Sequence, residues 1–415
     1  MSCVIFGAGK IARGFIAHLL SLSDIDFVFV EKVDALVDLI NARGQYTINI
    51  LGAPEKNYVV KNARALKFSQ LDEITEAIAD ADVVFDAVGG KNLQEIVPFY
   101  IKGIEVKAQK GGYLNFITCE NWKEPAKILK DGVEAGISEE AKDYLDKYVG
   151  FTESVIMRSG IEAPKELLEK DPLIVNVQDY WYLPVDADRV KGNLPEIKYM
   201  DALTGFAGFL ERKFYTYNAA NGTTSFLGAL LGYKVLAEAA HDERILKVLD
   251  GVYHETGKAL SEKHGIPLAD QMAFTKTSLH KLQDYTIVDS IERNARDPLR
   301  KLGKDDRLVG SARMVLDCGI KPESLSIAIA AAIYYRNPED PSAVELEKIV
   351  KEEGIDAVLE KVCGIKPNGE LGLMIKEKIE KIKAFPDCFP QNLCRMRRIF
   401  TGNDIVMIVC DQFFF

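Results

Sequence analysis

The sequence predicts an α/β protein: a doubly wound parallel sheet with a β extension, followed by a mainly α-helical C-terminal domain. Three observations carry this. Residues 1 to about 120 alternate strand-like and helix-like patterns, opening with Val4-Ile5-Phe6, a glycine turn and a helical run. Residues 149–200 lean towards β structure and are punctuated by Pro172, Pro184 and Pro195. From about residue 200 onward, apolar residues recur at helical spacing. The boundaries expected are 1–195 for the sheet half, 196–384 for the helical half, and 385–415 for a C-terminal tail without an assigned role.

The first strand runs into Gly7-x-Gly9-x-x-Ala12, and a helical face follows with Ile11, Phe15, Ile16 and Leu19. This is the order of a Rossmann-type dinucleotide site. Gly7 suits the tight turn, Gly9 permits close approach of a diphosphate, and Ala12 permits close helix–strand packing. Free N–H groups at the helix start then face the phosphates. The second apolar strand, Phe27 to Val30, ends in Glu31, placed to accept hydrogen bonds from a ribose diol. The expected cofactor contacts are Phe6, Gly7, Ala8, Gly9, Lys10, Ile11 and Ala12 from the turn, and Glu31. Glu31 favours NAD over NADP, because a carboxylate repels a 2′-phosphate; Lys32 beside it works the other way.

Tyr46 to Ile50 and Tyr58 to Val60 read as strands, and Leu71 to Ala81 as a helix. Asp82 to Gly90 is a buried strand opening into glycines. Ligands of open parallel sheets sit beyond the carboxyl ends of strands, so Ala87, Val88 and Gly89 are expected to line the cofactor. Gly111-Gly112 precedes the strand Tyr113 to Ile117, which ends in Thr118-Cys119-Glu120-Asn121. Asn121 reads either as a functional amide or as a helix N-cap.

Val149 to Phe151, Ile174 to Val177 and Tyr180 to Leu183 read as an extension of the first sheet, with a boundary at Gly192 to Pro195. Ile245 to Leu260 is an amphipathic helix ended by Gly265 and Pro267. Leu325 to Tyr335 is apolar nearly all round and predicts a core helix. Leu371 to Ile382 gives a last amphipathic face.

The formal charge of −10 supplies no basic excess for nucleic acid. Seven cysteines, at 3, 119, 318, 363, 388, 394 and 410, form no CxxC pair and suit a reducing cytoplasm. The N-terminus shows no signal-peptide pattern, and no apolar run is long enough for a membrane span. The five histidines show no ligand spacing, so no metal site is expected. A monomer or small homo-oligomer fits the chain.

Lys213, Asn218 and Asn221 open the helical half. Asn218 and Asn221 share a helix face, whereas Lys213 stands about 140° from Asn218 on an α-helix. Lys213 alone reads either as a solvated charge or as a working amine. Arg158, Arg300, Lys301, Lys304 and Arg307 are either solvated charges or ligands for a substrate phosphate.

Seven collinear motifs resemble the polyol-specific long-chain dehydrogenase/reductase family, above all its mannitol-1-phosphate 5-dehydrogenase members. They are FGAGKIARGFI at 6–16, DAVG at 86–89, ITCEN at 117–121, VGFTES at 149–154, ERKFYTYN at 211–218, RDPLRKLGKDDRL at 296–308 and YRNPEDP at 335–341. They span roughly residues 3–384. The family pattern Lys-x4-Asn-x2-His is met by Lys213 and Asn218, while Asn221 occupies the histidine position. The resemblance implies that Lys213 is the general base on the hydroxyl being oxidised. It implies that Asn218 and Asn121 hold the reacting oxygen and that Asn221 stands near the substrate. It implies NAD-dependent, metal-independent oxidation of a hexitol phosphate, on the mannitol 1-phosphate/fructose 6-phosphate pattern. Asn221 keeps two other readings open: an unphosphorylated polyol or hexuronate (fructuronate, tagaturonate) as substrate, and a catalytically inactive NAD-binding sensor or scaffold.

Overall fold

The computed structural model describes residues 2–122 and 124–383. The expected tail at 385–415 lies outside them, as do Cys388, Cys394 and Cys410. The chain divides into two compact units, the first ending at Ala207 and the second beginning at Gly208. The division falls beyond residue 195 because β11 (Leu183–Asp186) and β12 (Met200–Leu203) pair in parallel, which ties residues 200–203 to the first unit.

In the first unit, β1 (Ser2–Phe6), β2 (Asp26–Glu31), β5 (Ala65–Lys67), β6 (Val83–Asp86), β7 (Leu114–Thr118) and β8 (Val149–Glu153) form one sheet in the order β5-β2-β1-β6-β7-β8. Every pairing in it is parallel. Both faces are covered, which explains the continuous apolar runs: side chains of one parity join one core and those of the other parity the second. α1 (Ala17–Leu22), entered through a π-turn at Ala12–Ile16, and α2 (Asp34–Arg43) pack on the first core. α3 (Leu71–Asp80), α4 (Leu93–Lys110) and α5 (Pro125–Gly136) pack on the second.

The β extension differs from expectation. Only β8 continues the main sheet. β3 (Gln45–Leu51), β4 (Tyr58–Lys61), β9 (Gly160–Ile161) and β10 (Val175–Gln178) form a second sheet in the order β4-β3-β10-β9. Its cause is alternation: Tyr46, Ile48 and Ile50 of β3 and Val175 and Val177 of β10 are buried in the same core as Phe15 and Ile16. Tyr180 to Tyr182 are not strand; the strand begins at Leu183, and Pro184 is tolerated because β11 has one partner strand, β12, with only a single bridge from Val185 to Ser154 on its other side, where the Pro184 carbonyl accepts the Val155 N–H.

The second unit is helical. Its elements include α6 (Phe206–Lys213), whose first two residues close the first unit, α7 (Ala219–Leu230), α8 (Glu243–His264), α9 (Leu268–Leu282), α10 (Val309–Asp317), α11 (Glu323–Ile333) and α12 (Glu370–Lys383). α8 is capped by the Asp242 carboxylate and ends on Gly265, as its sequence predicts. α11 is buried from Leu325 to Ile333 and forms the centre of this core. No helix among the described residues is long and apolar enough to cross a membrane.

Candidate active site

The carboxyl ends of β1, β2, β6 and β7 bring the expected cofactor residues of the first unit to one edge. Gly7 has φ +87°, and a Cβ there would lie 2.7 Å from the Ala87 carbonyl oxygen. Its N–H donates to Val30 O (2.8 Å), and the Ala87 N–H donates to Phe6 O (2.9 Å). The turn thus touches both the β2 and β6 ends. Gly9 faces open space, with nothing within 4 Å of a would-be Cβ. Phe6, Ala8 and Ala12 are buried, Ile11 is half-buried, and Lys10 is exposed and paired with Glu162 at 2.8 Å. Glu31 folds over the turn: its Oε2 accepts the Ala8 N–H (2.7 Å) and its Oε1 the Val33 N–H (3.0 Å).

Two acids at this edge, Asp86 and Glu120, lie in the DAVG and ITCEN motifs but were given no individual role from the sequence. Glu120 Oε1 accepts the Gly89 N–H at 2.7 Å and ties the β6 loop to the β7 loop. Burial raises its pKa, while the Gly89 and Val88 amides pull it back. Asp86 is fully buried, with Tyr100 OH donating to Oδ2 (3.4 Å). Burial, then the Glu120 charge, holds its pKa well above the carboxylate range. Asn121 is exposed, and the helix that follows is capped at Glu124, so the N-cap reading of Asn121 does not hold.

Arg158 stands elsewhere. It is 2% exposed, donates to Gln178 O (2.9 Å) and Gly14 O (3.1 Å), and meets His18 Nδ1 at 3.1 Å. Its guanidinium stacks 4.5 Å from the Trp181 ring centroid. These contacts suit a framework residue rather than the expected phosphate ligand.

In the second unit, Lys213 ends α6 and a π-turn, Phe214–Asn218, follows before α7. The Ala219 N–H bonds back to Phe214 O, five residues away. Residues five apart therefore stand one turn apart here, which sets Lys213 and Asn218 on one face rather than 140° apart. Burial, with the Arg307 charge second, lowers the Lys213 pKa to about 8.

Asn221 Nδ2 donates to Asn294 Oδ1 (3.0 Å), and Asn294 Nδ2 donates to Ser290 O (2.9 Å), which fixes both amides. Lys301 Nζ donates to the Asn294 carbonyl. Lys301 is buried, and burial, then Arg307 and Arg300, lowers its pKa to about 7. Arg307 packs against the first turn of α7: a Cβ on Gly222 would meet its Cδ at 3.2 Å, and it lies 5.6 Å from the Phe214 ring. Arg300 is drawn away by Asp297 (2.7 Å) and Asp306 (3.3 Å) and is half-exposed. The second unit thus gathers Lys213, Asn221, Lys301 and Arg307 around the start of α7. Lys281, on α9, has its pKa lowered to about 8 by burial and, second, by the Lys213 charge. Neither Lys281 nor Asn294 was singled out in the sequence, because each reads there as an ordinary helix-surface polar residue. Among the described residues, no three His, Cys, Asp or Glu side chains are grouped to hold a metal ion.

Comparison with known proteins places these features. A D-sorbitol dehydrogenase solved in substrate-free form aligns over 93% of this chain and 93% of its own, with TM-score 0.77 and 14% identity. A Pseudomonas fluorescens mannitol 2-dehydrogenase, solved as a ternary complex with NAD and D-mannitol, covers 93% of this chain and 92% of its own, with TM-score 0.64 and 14% identity. At that identity the likeness speaks for the fold. The family models go further. That of the mannitol dehydrogenase Rossmann domain matches residues 1–199, and that of the mannitol dehydrogenase C-terminal domain matches residues 206–383. The chain, matched over almost its whole length by both halves in order, belongs to the mannitol dehydrogenase family.

Proposed function

We propose that this protein is an NAD-dependent dehydrogenase that interconverts a hexitol phosphate and the corresponding sugar phosphate, with Lys213 as general base. The observation that carries the reading is the Lys213 amine, half-buried at the head of the π-turn that leads to Asn218, with a pKa lowered to about 8. A general base works best when its pKa lies near the operating pH. The neutral amine takes the hydroxyl proton as the polyol is oxidised. In the reverse direction the ammonium returns it to the carbonyl oxygen. Amide donors on Asn218 and, in the first unit, Asn121 are the proposed holders of the charge that develops on that oxygen, each worth about 3 kcal/mol. In this reading the proton is handled by a side chain and no metal ion is called for.

The first unit fits NAD. The turn at Gly7 suits glycine, Gly9 leaves room for a diphosphate, and Glu31, at the end of β2, is the proposed acceptor for a ribose diol. The nicotinamide, when bound, supplies the hydride acceptor or donor. The mannitol 2-dehydrogenase aligned above holds the same cofactor. A phosphate on the substrate is supported by the cations of the second unit. Lys301 and Arg307 flank the start of α7; burial and, second, the Arg307 and Arg300 charges lower the Lys301 pKa, and a bound dianion would favour its charged form again. Asn221 favours a second reading, an unphosphorylated polyol or a hexuronate, since an amide replaces the histidine of the resembling motif.

A panel of mannitol 1-phosphate and mannitol with NAD or NADP, and of fructose 6-phosphate, fructuronate and tagaturonate with NADH or NADPH, tests both. The first reading expects turnover of the phosphorylated pair with NAD(H). Activity confined to uronates or free mannitol replaces it with the second. Calorimetric NAD binding with no turnover on any member leaves a cofactor-binding protein without this catalysis.

A further inference from the structure

Three successive ties join the loop after β6 to the loop after β7. The Cys119 N–H donates to Asp86 O (2.9 Å), continuing the ladder between the two strands. Beyond it, Glu120 Oε1 accepts the Gly89 N–H (2.7 Å). Further out, the Trp122 indole lies against Gly90: a Cβ there would stand 2.6 Å from Cε3 and closer still to Cγ and Cδ2, so a side chain at 90 would push the ring away. The receiving loop is itself braced at the entry to α4. The Asn92 N–H donates to Gly89 O (2.8 Å), and Asn92 Nδ2 donates to Val88 O (2.6 Å). Asn121 stands between the two outer ties, with its own side chain exposed. We propose that Trp122 is a positioning residue for Asn121: the indole on Gly90 and the Glu120 carboxylate on Gly89 grip the β6 loop on either side of residue 121 and hold its amide in place. This rests on the reading of Asn121 as a holder of the reacting oxygen.

The need for such a grip is physical. Asn121 lies in an irregular connection between β7 and α5, where a backbone without ladder or helix bonds samples many orientations. An amide that stabilises charge on one oxygen works only when it is held in advance, and a misplacement of about 1 Å costs about a hundredfold. Glu120 supplies a charge-assisted bond, and Trp122 supplies a flat contact that resists twisting of the same segment. Trp122 is 54% exposed, so little of the core rests on it. Its contact with Gly90 therefore fixes the loop more than it holds the fold.

The test compares Trp122→Ala, Trp122→Phe, Asn121→Ala and the double variant N121A/W122A with wild type, using NAD and whichever polyol of the panel above is oxidised. N121A is expected to lose about a hundredfold in kcat, the scale of one removed donor. W122A loses about tenfold with Tm unchanged, and W122F, which keeps a flat ring on Gly90, restores most of the rate. In the N121A background, W122A costs less than about twofold, because it acts through a group already gone. Strictly additive losses, or a W122A loss that follows a fall in Tm, overturn the inference and leave Asn121 in its role. If N121A keeps full turnover, the reading of Asn121 falls and the inference with it. The contact is also read without turnover. The chain has two tryptophans, so W181F leaves Trp122 as the single emitter. Its fluorescence anisotropy is expected to decay with the whole protein, and G90A in that background adds a fast component on the nanosecond scale. An indole that already turns freely in W181F refutes the grip, whatever the substrate proves to be.

Discussion

Asn221 donates its side-chain amide to Asn294 Oδ1 across 3.0 Å, and the Asn294 carbonyl receives Lys301. The motif that begins at Lys213 is thereby joined to the basic stretch at 296–308 within one unit. The residue that departs from the resembling motif is therefore not idle. It is one end of a short chain of amides leading to a buried cation.

That chain predicts coupled losses. N221A and N294A each leave a partly buried amide group without its partner, a cost of about 1–3 kcal/mol. Each is expected to lower kcat/KM by about tenfold, and the double variant to lose far less than the product of the two. Steady-state kinetics on the four proteins decides; strictly additive losses mean the link does not serve the reaction.

Lys213 carries two expectations. K213M keeps NAD affinity and loses at least about a hundredfold in turnover, the scale of a removed general base. Retention of more than about a tenth of the rate, roughly 1.4 kcal/mol in barrier, rules the assignment out. The pH dependence has opposite signs in the two directions. Oxidation needs the neutral amine and rises with pH through about 8, whereas reduction needs the ammonium and falls over the same range.

The two turn glycines should separate stability from binding. G7A places a Cβ 2.7 Å from Ala87 O at φ +87° and is expected to lower Tm as well as NAD affinity. Left-handed backbone alone costs a residue with a Cβ about 1–2 kcal/mol. G9A meets nothing in the protein, so Tm holds while the calorimetric Kd for NAD rises by about tenfold or more. An unchanged Kd in G9A removes the diphosphate from this turn.

Asp86 gives a stability prediction with a definite sign. Its folded pKa is raised by burial, so the folded state holds a proton that the unfolded chain releases above its ordinary value near 3.8. That contribution is complete in acid and is lost as pH rises. D86N, which keeps the shape and needs no proton, should match wild type near pH 4 and unfold at a higher temperature at pH 8. Thermal scans at the two pH values check this, and a difference independent of pH contradicts it.

Much of the first unit was legible in the chain because its determinants are local. A glycine turn between an apolar strand and a helix, and an acid at the end of the next strand, announce themselves by spacing alone. The second sheet was not legible: β3 and β10 are more than a hundred residues apart, and nothing near Val175 says that Ile48 is its partner. The N-cap reading of Asn121 failed because the helix starts four residues later, at Pro125. The offset between Lys213 and Asn218 was misjudged for a comparable reason, since an inserted residue in a helical turn leaves no mark in the apolar periodicity.

The sequence by itself determined the elements, the glycine-lined edge and the identity of the lysine, because hydrophobic period and turn chemistry act over a few residues. Tertiary structure alone decided which charges are buried. Arg158, Arg300 and Lys301 are the same kinds of residue on paper, yet one is stacked on Trp181, one is neutralised by two aspartates, and one is buried with its ammonium on the Asn294 carbonyl. The physical reason is that a charge takes its energy from desolvation and from neighbours brought together across the fold, and neither is written beside it in the chain.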